Sequence, residues 1–158
     1  MRRIGFIGTG HIAAPMVRFL TRKGHQITVS DRNAQVAQDL ARTYGVAIAD
    51  NQAVVNDCDV IVLSVRPQVA EAVVSELVFR EDQQIISVMS GISMDQLVSL
   101  CSPASDIVMT IPLGFLEKGG CPLPAWPNAK LLSSLFEPEN PVFAVSDERA
   151  FNMHFAVC

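Results

Sequence analysis

Short runs of aliphatic and β-branched residues alternate along the chain with segments in which apolar positions recur every three or four residues. Arg3–Ile7, Gln26–Ser30, Val46–Ile48, Val60–Val65, Ile85–Val88 and Ile107–Ile111 predict strands. Several are apolar almost throughout, as in Val60-Ile61-Val62-Leu63, the pattern of strands covered by helices on both faces. Between them Ile12, Met16 and Leu20, flanked by Ala13 and Val17, predict a helix that Lys23 and Gly24 close. Val69, Val73, Leu77 and Val78 predict another over Val69–Phe79. Ser93–Leu100 opens on a Ser with Gln96 three residues on, the signature of a capping box. This alternation predicts an α/β protein with a mainly parallel sheet.

The pattern changes after Pro112. Gly114, Gly119, Gly120, Pro122, Pro124 and Pro127 crowd the stretch Gly114–Pro127 and predict a long loop. Ala129–Phe136 predicts a short helix and Val142–Val145 a further strand on the sheet edge. Asp147 reads as the N-cap of a last helix with Phe151, Phe155 and Cys158 on one face. A chain that stops inside an amphipathic helix is expected to lack the surface that helix packs on, or to receive it from another subunit. The expected organisation is a dinucleotide-binding domain over residues 1–146, then residues 147–158 as the start of a helix leading to an absent C-terminal domain. Exposed apolar surface on that helix points to self-association, with a homodimer as the expected state.

Composition narrows the function classes. The 158 residues are 49% apolar and 18% charged, which excludes general disorder. The net charge is −4, and no basic tract stands out, so nucleic acid is not the expected partner. No apolar run approaches the roughly 18 residues of a membrane span, and no membrane partner is expected. Cys58, Cys101, Cys121 and Cys158 form no C-x-x-C pair and no zinc-like spacing with His11, His25 or His154. No metal is expected, and four reduced thiols fit a cytoplasmic protein.

The chemistry sits in Gly8-Thr9-Gly10-His11-Ile12-Ala13, the Gly-x-Gly-x-x-Ala form of the Rossmann fingerprint. Gly8 permits the tight turn out of the first strand. Gly10 lets a pyrophosphate lie close to the backbone, and Ala13 lets helix and strand pack. Free amides around Gly10, His11 and Ile12 would stand at a helix N-terminus, where unpaired N–H groups and the helix dipole both favour an anion. Ser30-Asp31-Arg32 ends the second strand. The Asp31 carboxylate suits the ribose hydroxyls of NAD and repels a 2′-phosphate; Arg32 suits that phosphate and hence NADP. The acid tips the reading towards NAD. Thr9 and Ser30 join the candidate cofactor contacts as neighbours of these groups.

Three further stretches resemble the pyrroline-5-carboxylate reductase family. Val62-Leu63-Ser64-Val65-Arg66-Pro67-Gln68 is similar to its Ala-Val-Lys-Pro segment. Ile86-Ser87-Val88-Met89-Ser90-Gly91-Ile92-Ser93 is similar to its Ser-x-Ala-Ala-Gly-Val segment, and Asp50-Asn51 before a short helix also matches. The resemblance runs over about residues 4–112. It implies a Rossmann domain that binds NAD(P)H, a helical C-terminal domain that forms the dimer, and reduction of a small-molecule cyclic imine to proline. It places Asn51 near the adenosine ribose, and Ser64, Val65, Arg66, Pro67, Ser90 and Gly91 along the rest of the cofactor. Pro67 is expected to stop the strand and turn the chain over the cofactor. Arg66 stands where the family has Lys. The family's Met-Pro-Asn-Thr-Pro is replaced by Met109-Thr110-Ile111-Pro112-Leu113-Gly114, without the Asn expected near the nicotinamide; Thr110 is the residue of that stretch placed near it. No acid/base pair stands out, and no catalytic residue is assigned.

Gly8–Asn33, with Ala14-Pro15-Met16 and Asp31-Arg32-Asn33, is also similar to β-hydroxyacid dehydrogenases of the hydroxyisobutyrate type. The expected function is therefore an NAD(P)H-dependent oxidoreductase acting on a cyclic imine. The alternatives are a hydroxyacid dehydrogenase, a non-catalytic dinucleotide-binding module, or an α/β domain used only for assembly.

Overall fold

The apolar runs fold as parallel strands. The computed structural model describes residues 1–157, the last two by backbone alone. Strands β1 (Arg3–Ile7), β2 (Gln26–Ser30), β3 (Ala47–Ala49), β4 (Val60–Leu63), β5 (Gln84–Ser87) and β6 (Asp106–Met109) form one sheet. Their order is β3-β2-β1-β4-β5-β6, and every pairing is parallel. The side chains alternate between two cores. Val60, Val62, Ile86 and Val108 face one; Ile61, Leu63, Ile85 and Ile107 face the other. Both faces are covered, which is why these strands read as unbroken apolar runs. Helices α1 (Ala13–Arg22) and α2 (Ala34–Tyr44) lie on the first face. Helices α3 (Asn51–Asp57), α4 (Pro67–Val74) and α5 (Met94–Cys101) lie on the second.

Several elements depart from their predicted bounds. β4 ends at Leu63, so Val65 lies outside the strand. Pro67 does more than stop a strand: it opens α4 as its first residue, where a missing N–H costs nothing. That helix ends at Val74, well short of Phe79. No apolar periodicity along the chain predicts helix α2. Its buried side chains are only Ala37 and Leu40, too few to mark a periodic face. It is set by its ends instead: Asn33 Oδ1 accepts the Val36 N–H at 3.3 Å, and Gly45 closes it at φ 73°.

The predicted loop over residues 114–127 is partly ordered structure. It holds a 3-10 turn (Leu116–Lys118) and strand β7 (Leu123–Ala125). β7 pairs in parallel with β8 (Val142–Ala144), so this last strand belongs to a separate two-stranded sheet and not to the main sheet's edge. The two sheets meet where Met109 and Trp126 exchange N–H···O bonds of 2.8 and 3.2 Å. Helix α6 (Lys130–Phe136) folds back on α1. Phe136 stacks on Phe19 with ring centroids 5.5 Å apart. Arg18 and Arg22 both pair with Glu117, and Lys23 pairs with Glu139.

The last helix, α7 (Glu148–Val157), is capped by Asp147, whose Oδ1 accepts the Ala150 N–H at 2.7 Å. Phe151 is fully buried in the second core, with Phe155 edge-on to it at 5.5 Å. The expectation that this helix lacks a packing surface is thus corrected for Phe151, which is covered by the same chain. Cys158 lies outside the described residues. Cys58 and Cys101 are buried thiols; burial pushes both upward, Cys101 to about 12, so neither is a reactive thiolate near neutral pH. Among the described residues no helix is long and apolar enough to cross a membrane.

Candidate active site at the carboxyl edge of the sheet

The strand order reverses direction beside β1: β2 and β3 lie on one side, and β4, β5 and β6 on the other. Open α/β sheets bind ligands outside the carboxyl ends of their strands at such a point. The candidate residues converge there because each follows a strand. Gly8–Ile12 follow β1, Asp31 and Arg32 follow β2, and Asn51 opens α3 after β3. Ser64–Pro67 follow β4, Ser90 and Gly91 follow β5, and Thr110 follows β6.

Backbone and hydroxyl bonds stitch this edge together. Gly8 has φ +97°, and a β-carbon there would stand 2.8 Å from the Ser64 carbonyl oxygen. The position therefore requires glycine for conformation and for space. The Gly8 N–H donates to Ser30 Oγ at 2.9 Å, and Ser64 Oγ donates to the Gly8 carbonyl at 2.8 Å. Ser30 is fully buried, so its hydroxyl is committed to the turn and does not line the groove. Asp31 holds the neighbouring turn through its N–H, which donates to Ala49 O at 3.1 Å; its carboxylate and the Arg32 guanidinium are exposed.

Gly10 differs from Gly8. Nothing lies within 4 Å of where its β-carbon would be, and its φ is not in the left-handed region. The protein itself gives no steric reason for glycine here. α1 starts just beyond, with Ala14 N–H donating to Gly10 O at 3.1 Å, and no side chain caps that start. His11 and Ile12 are exposed, whereas Ala13 is buried against the sheet. An open backbone surface thus meets an uncapped helix N-terminus, the physical requirement for an anion.

Three buried polar atoms on this edge have no hydrogen-bond partner: Thr9 Oγ1, Asn51 Oδ1 and Thr110 Oγ1. They belong to the ends of β1, β3 and β6. A buried hydroxyl or amide without a partner costs about 1–3 kcal/mol, and a ligand on this edge would supply partners; the fourth such atom among the described residues, Asn140 Nδ2, lies away from it before β8. The residues present fit a dinucleotide: a side-chain-free cradle for phosphates, flanked by orphaned donors and acceptors. Arg66 and Pro67 begin α4, Arg66 exposed and with no side-chain cap on that helix. Val65 is buried and takes part only through its backbone.

At the far end of the edge, Ser90 and Gly91 line a cavity of about 260 Å³ with Ile92, Ser93, Glu148, Asn152 and Phe155. No sequence motif marks Glu148 and Asn152. Their only signal was a four-residue spacing on a helix whose docking could not be foreseen. A larger hollow of about 430 Å³, lined by Arg3, His25, Tyr44 and Asp57 among others, opens among residues at the amino ends of β1 and β2 and contains none of the candidate residues. Among the described residues no cluster of His, Cys, Asp and Glu could hold a metal.

Residues 3–91 match the family model described as NADP oxidoreductase coenzyme F420-dependent. The chain is 33% identical over 116 residues to a pyrroline-5-carboxylate reductase of Pseudomonas aeruginosa, covering 70% of this chain and 42% of that protein. The chain thus spans about two fifths of the length of this curated relative. Its fold is similar to the crystal structure of 1-pyrroline-5-carboxylate reductase from Streptococcus pyogenes, with a TM-score of 0.85 at 23% identity over 99% of this chain and 62% of that one. It is also similar to 3-hydroxyisobutyrate dehydrogenase of Mycobacterium tuberculosis, with a TM-score of 0.83 at 19% identity over 99% of this chain and 58% of that one.

Proposed function

Because the chain belongs to the family described as NADP oxidoreductase coenzyme F420-dependent, we propose that it binds a nicotinamide dinucleotide along the carboxyl edge and acts in the reduction of a small cyclic imine. The observation that carries this reading is the contrast at Gly10, a glycine that no protein atom and no backbone angle demands. Gly8, Thr9, Gly10, His11 and Ile12 would hold the pyrophosphate by backbone donors at the start of α1. Asp31, Arg32 and Asn51 would face the adenosine ribose, and Ser30 acts through the Gly8 turn. Ser64, Val65, Arg66 and Pro67 would continue the groove towards Ser90 and Gly91, with Thr110 beside them. The bound nicotinamide supplies the hydride. The chain's own part is to fix the position of the dinucleotide and to exclude water from the edge.

The balance between NAD and NADP falls to Asp31 and Arg32. We assign a modest preference for NAD to the carboxylate, since it can accept from both ribose hydroxyls. A cytoplasmic protein fits the same reading, because buried thiols persist in a reducing compartment, and the exposed Met153 on α7 is the apolar surface that a homodimer would cover.

Titrating the full chain with NADH and NADPH, by calorimetry or nicotinamide fluorescence, tests the proposal. Saturable binding of at least one is expected, with Asp31→Ser shifting the preference towards NADPH. No binding at millimolar nucleotide overturns it. An unchanged NADH/NADPH ratio in Asp31→Ser removes Asp31 from the ribose site. Oxidation of NAD(P)H with a cyclic imine separates the reductase from its rivals. Turnover of a hydroxy acid instead favours the dehydrogenase reading, and binding without turnover favours a dinucleotide-binding module.

A further inference from the structure

Helices α4, α5 and α7 cover neighbouring parts of the second core, where Ala70, Leu97 and Phe151 are among their buried side chains. Between α4 and α5 runs a groove of about 470 Å³ that includes, of the candidate cofactor residues, only Pro67. Pro67, Ile92 and Leu100 give it apolar lining. Glu71 on α4 and Asp95 on α5 give it charge. The start of α7 is close by: Glu148 Oε2 accepts the Met94 N–H at 3.3 Å, and Ile92 lines both this groove and the smaller cavity against α7.

The outer side of α7 has the complementary character. Arg149 and Met153 stand one turn apart on it, and both are exposed, Met153 to 66%. Val98, outside the groove on α5, adds a further apolar side chain, 46% exposed. Among the described residues Glu71, Asp95 and Arg149 take part in no ion pair. Arg66, the exposed cation just before α4, pairs with neither carboxylate. The chain thus carries two unneutralised carboxylates around apolar residues and, next to them, an unneutralised guanidinium one turn from an exposed Met. A two-fold axis brings two such halves together twice, since residue i meets j while j meets i. The groove's complement is therefore supplied by the chain itself. Met also suits an irregular apolar groove, because its unbranched side chain adapts to the space available.

We infer that this face is the contact surface for a second copy of the chain. Arg149 and Met153 of each copy seat in the α4–α5 groove of the other, the guanidinium against Glu71 and Asp95 and the thioether against Ile92 and Leu100. The inference rests on the homodimer of the proposed function and is independent of the dinucleotide.

Sedimentation equilibrium of the full chain tests it. The parent chain should associate into pairs and no further. Arg149→Glu sets like charges together at both symmetric contacts and should weaken the pair roughly tenfold. Glu71→Lys combined with Asp95→Lys should weaken it by about as much. Mixing these two variants restores opposite charges at both contacts. The mixture should therefore form a heterodimer about tenfold tighter than either variant forms with itself, a gain that a misfolded chain cannot supply. A parent chain that stays monomeric at millimolar concentration overturns the homodimer and this surface together. A pair that neither reversal weakens, or a mixture no tighter than its components, overturns the surface alone. These readouts need no nucleotide, so the outcome of the NADH and NADPH titrations stands apart from them.

Discussion

Two helices begin on the same edge of the sheet, and their starts are built in opposite ways. α1 begins bare: no side chain caps it, and Gly10 leaves open space before it. α5 begins closed, with a reciprocal Ser93–Gln96 capping box and Glu148 brought from α7 onto Met94 N–H. An uncapped helix start leaves orphan donors and a positive dipole end to an outside anion. A capped start beside a carboxylate repels one. The two ends of the edge thus differ in what holds their helix starts: open backbone before α1, side chains before α5.

The comparison can be broken at several points. The largest expected effect is at Gly8. Gly8→Ala forces a β-carbon against the Ser64 carbonyl at a left-handed φ, and should cost about 2–4 kcal/mol of stability by denaturant unfolding. Gly10→Val sharpens the contrast between the two glycines. It meets no protein atom, so stability should change by less than about 0.5 kcal/mol, while dinucleotide affinity falls roughly tenfold or more, about 1.4 kcal/mol. Equal losses of stability at both positions would remove the distinction between a turn glycine and a ligand glycine.

At the closed start, Ser93→Ala removes one half of the capping box and should cost about 1 kcal/mol in unfolding, with dinucleotide affinity unchanged. The smallest effect is a control at the opposite edge. His25 Nδ1 accepts the Arg2 N–H at 3.0 Å. Partial burial first, then the chain's amino terminus, Arg2 and Lys23, hold its imidazole below the ordinary 6.5. The fold therefore keeps the neutral form. This contribution is in place above pH 6.5 and is lost as pH falls through the lowered value. Thermal melts between pH 7 and 5 should lose less stability in His25→Gln than in the parent chain, and an equal slope in both would show that His25 does not titrate against the fold.

How legible this molecule is depends on the range of the interactions that hold each part. The first strand, the turn at Gly8, the helix after Gly10 and the acid at the end of β2 were readable because each is imposed within a few residues. A φ of +97° calls for glycine, a capping box is a four-residue pattern, and strands buried on both faces must be apolar throughout. Elsewhere local cues misled. Pro124 and the surrounding glycines spelled a loop, yet Leu123–Ala125 is a strand, because its bonds go to the distant 141–145 segment and its side chains complete the core beside α1. Helix α2 buries too little to show a face, and Ser30 looked like a ligand contact until its hydroxyl met the Gly8 amide.

The sequence by itself determined the sheet, its parallel character and the phosphate-ready turn, since backbone angles, apolar runs and caps act over short distances. Only the tertiary structure decided that α7 lays Phe151 into the second core and sets Glu148 and Asn152 beside Ser90 and Gly91. Residues more than fifty positions apart meet there, and no local pattern records which surfaces burial will bring together.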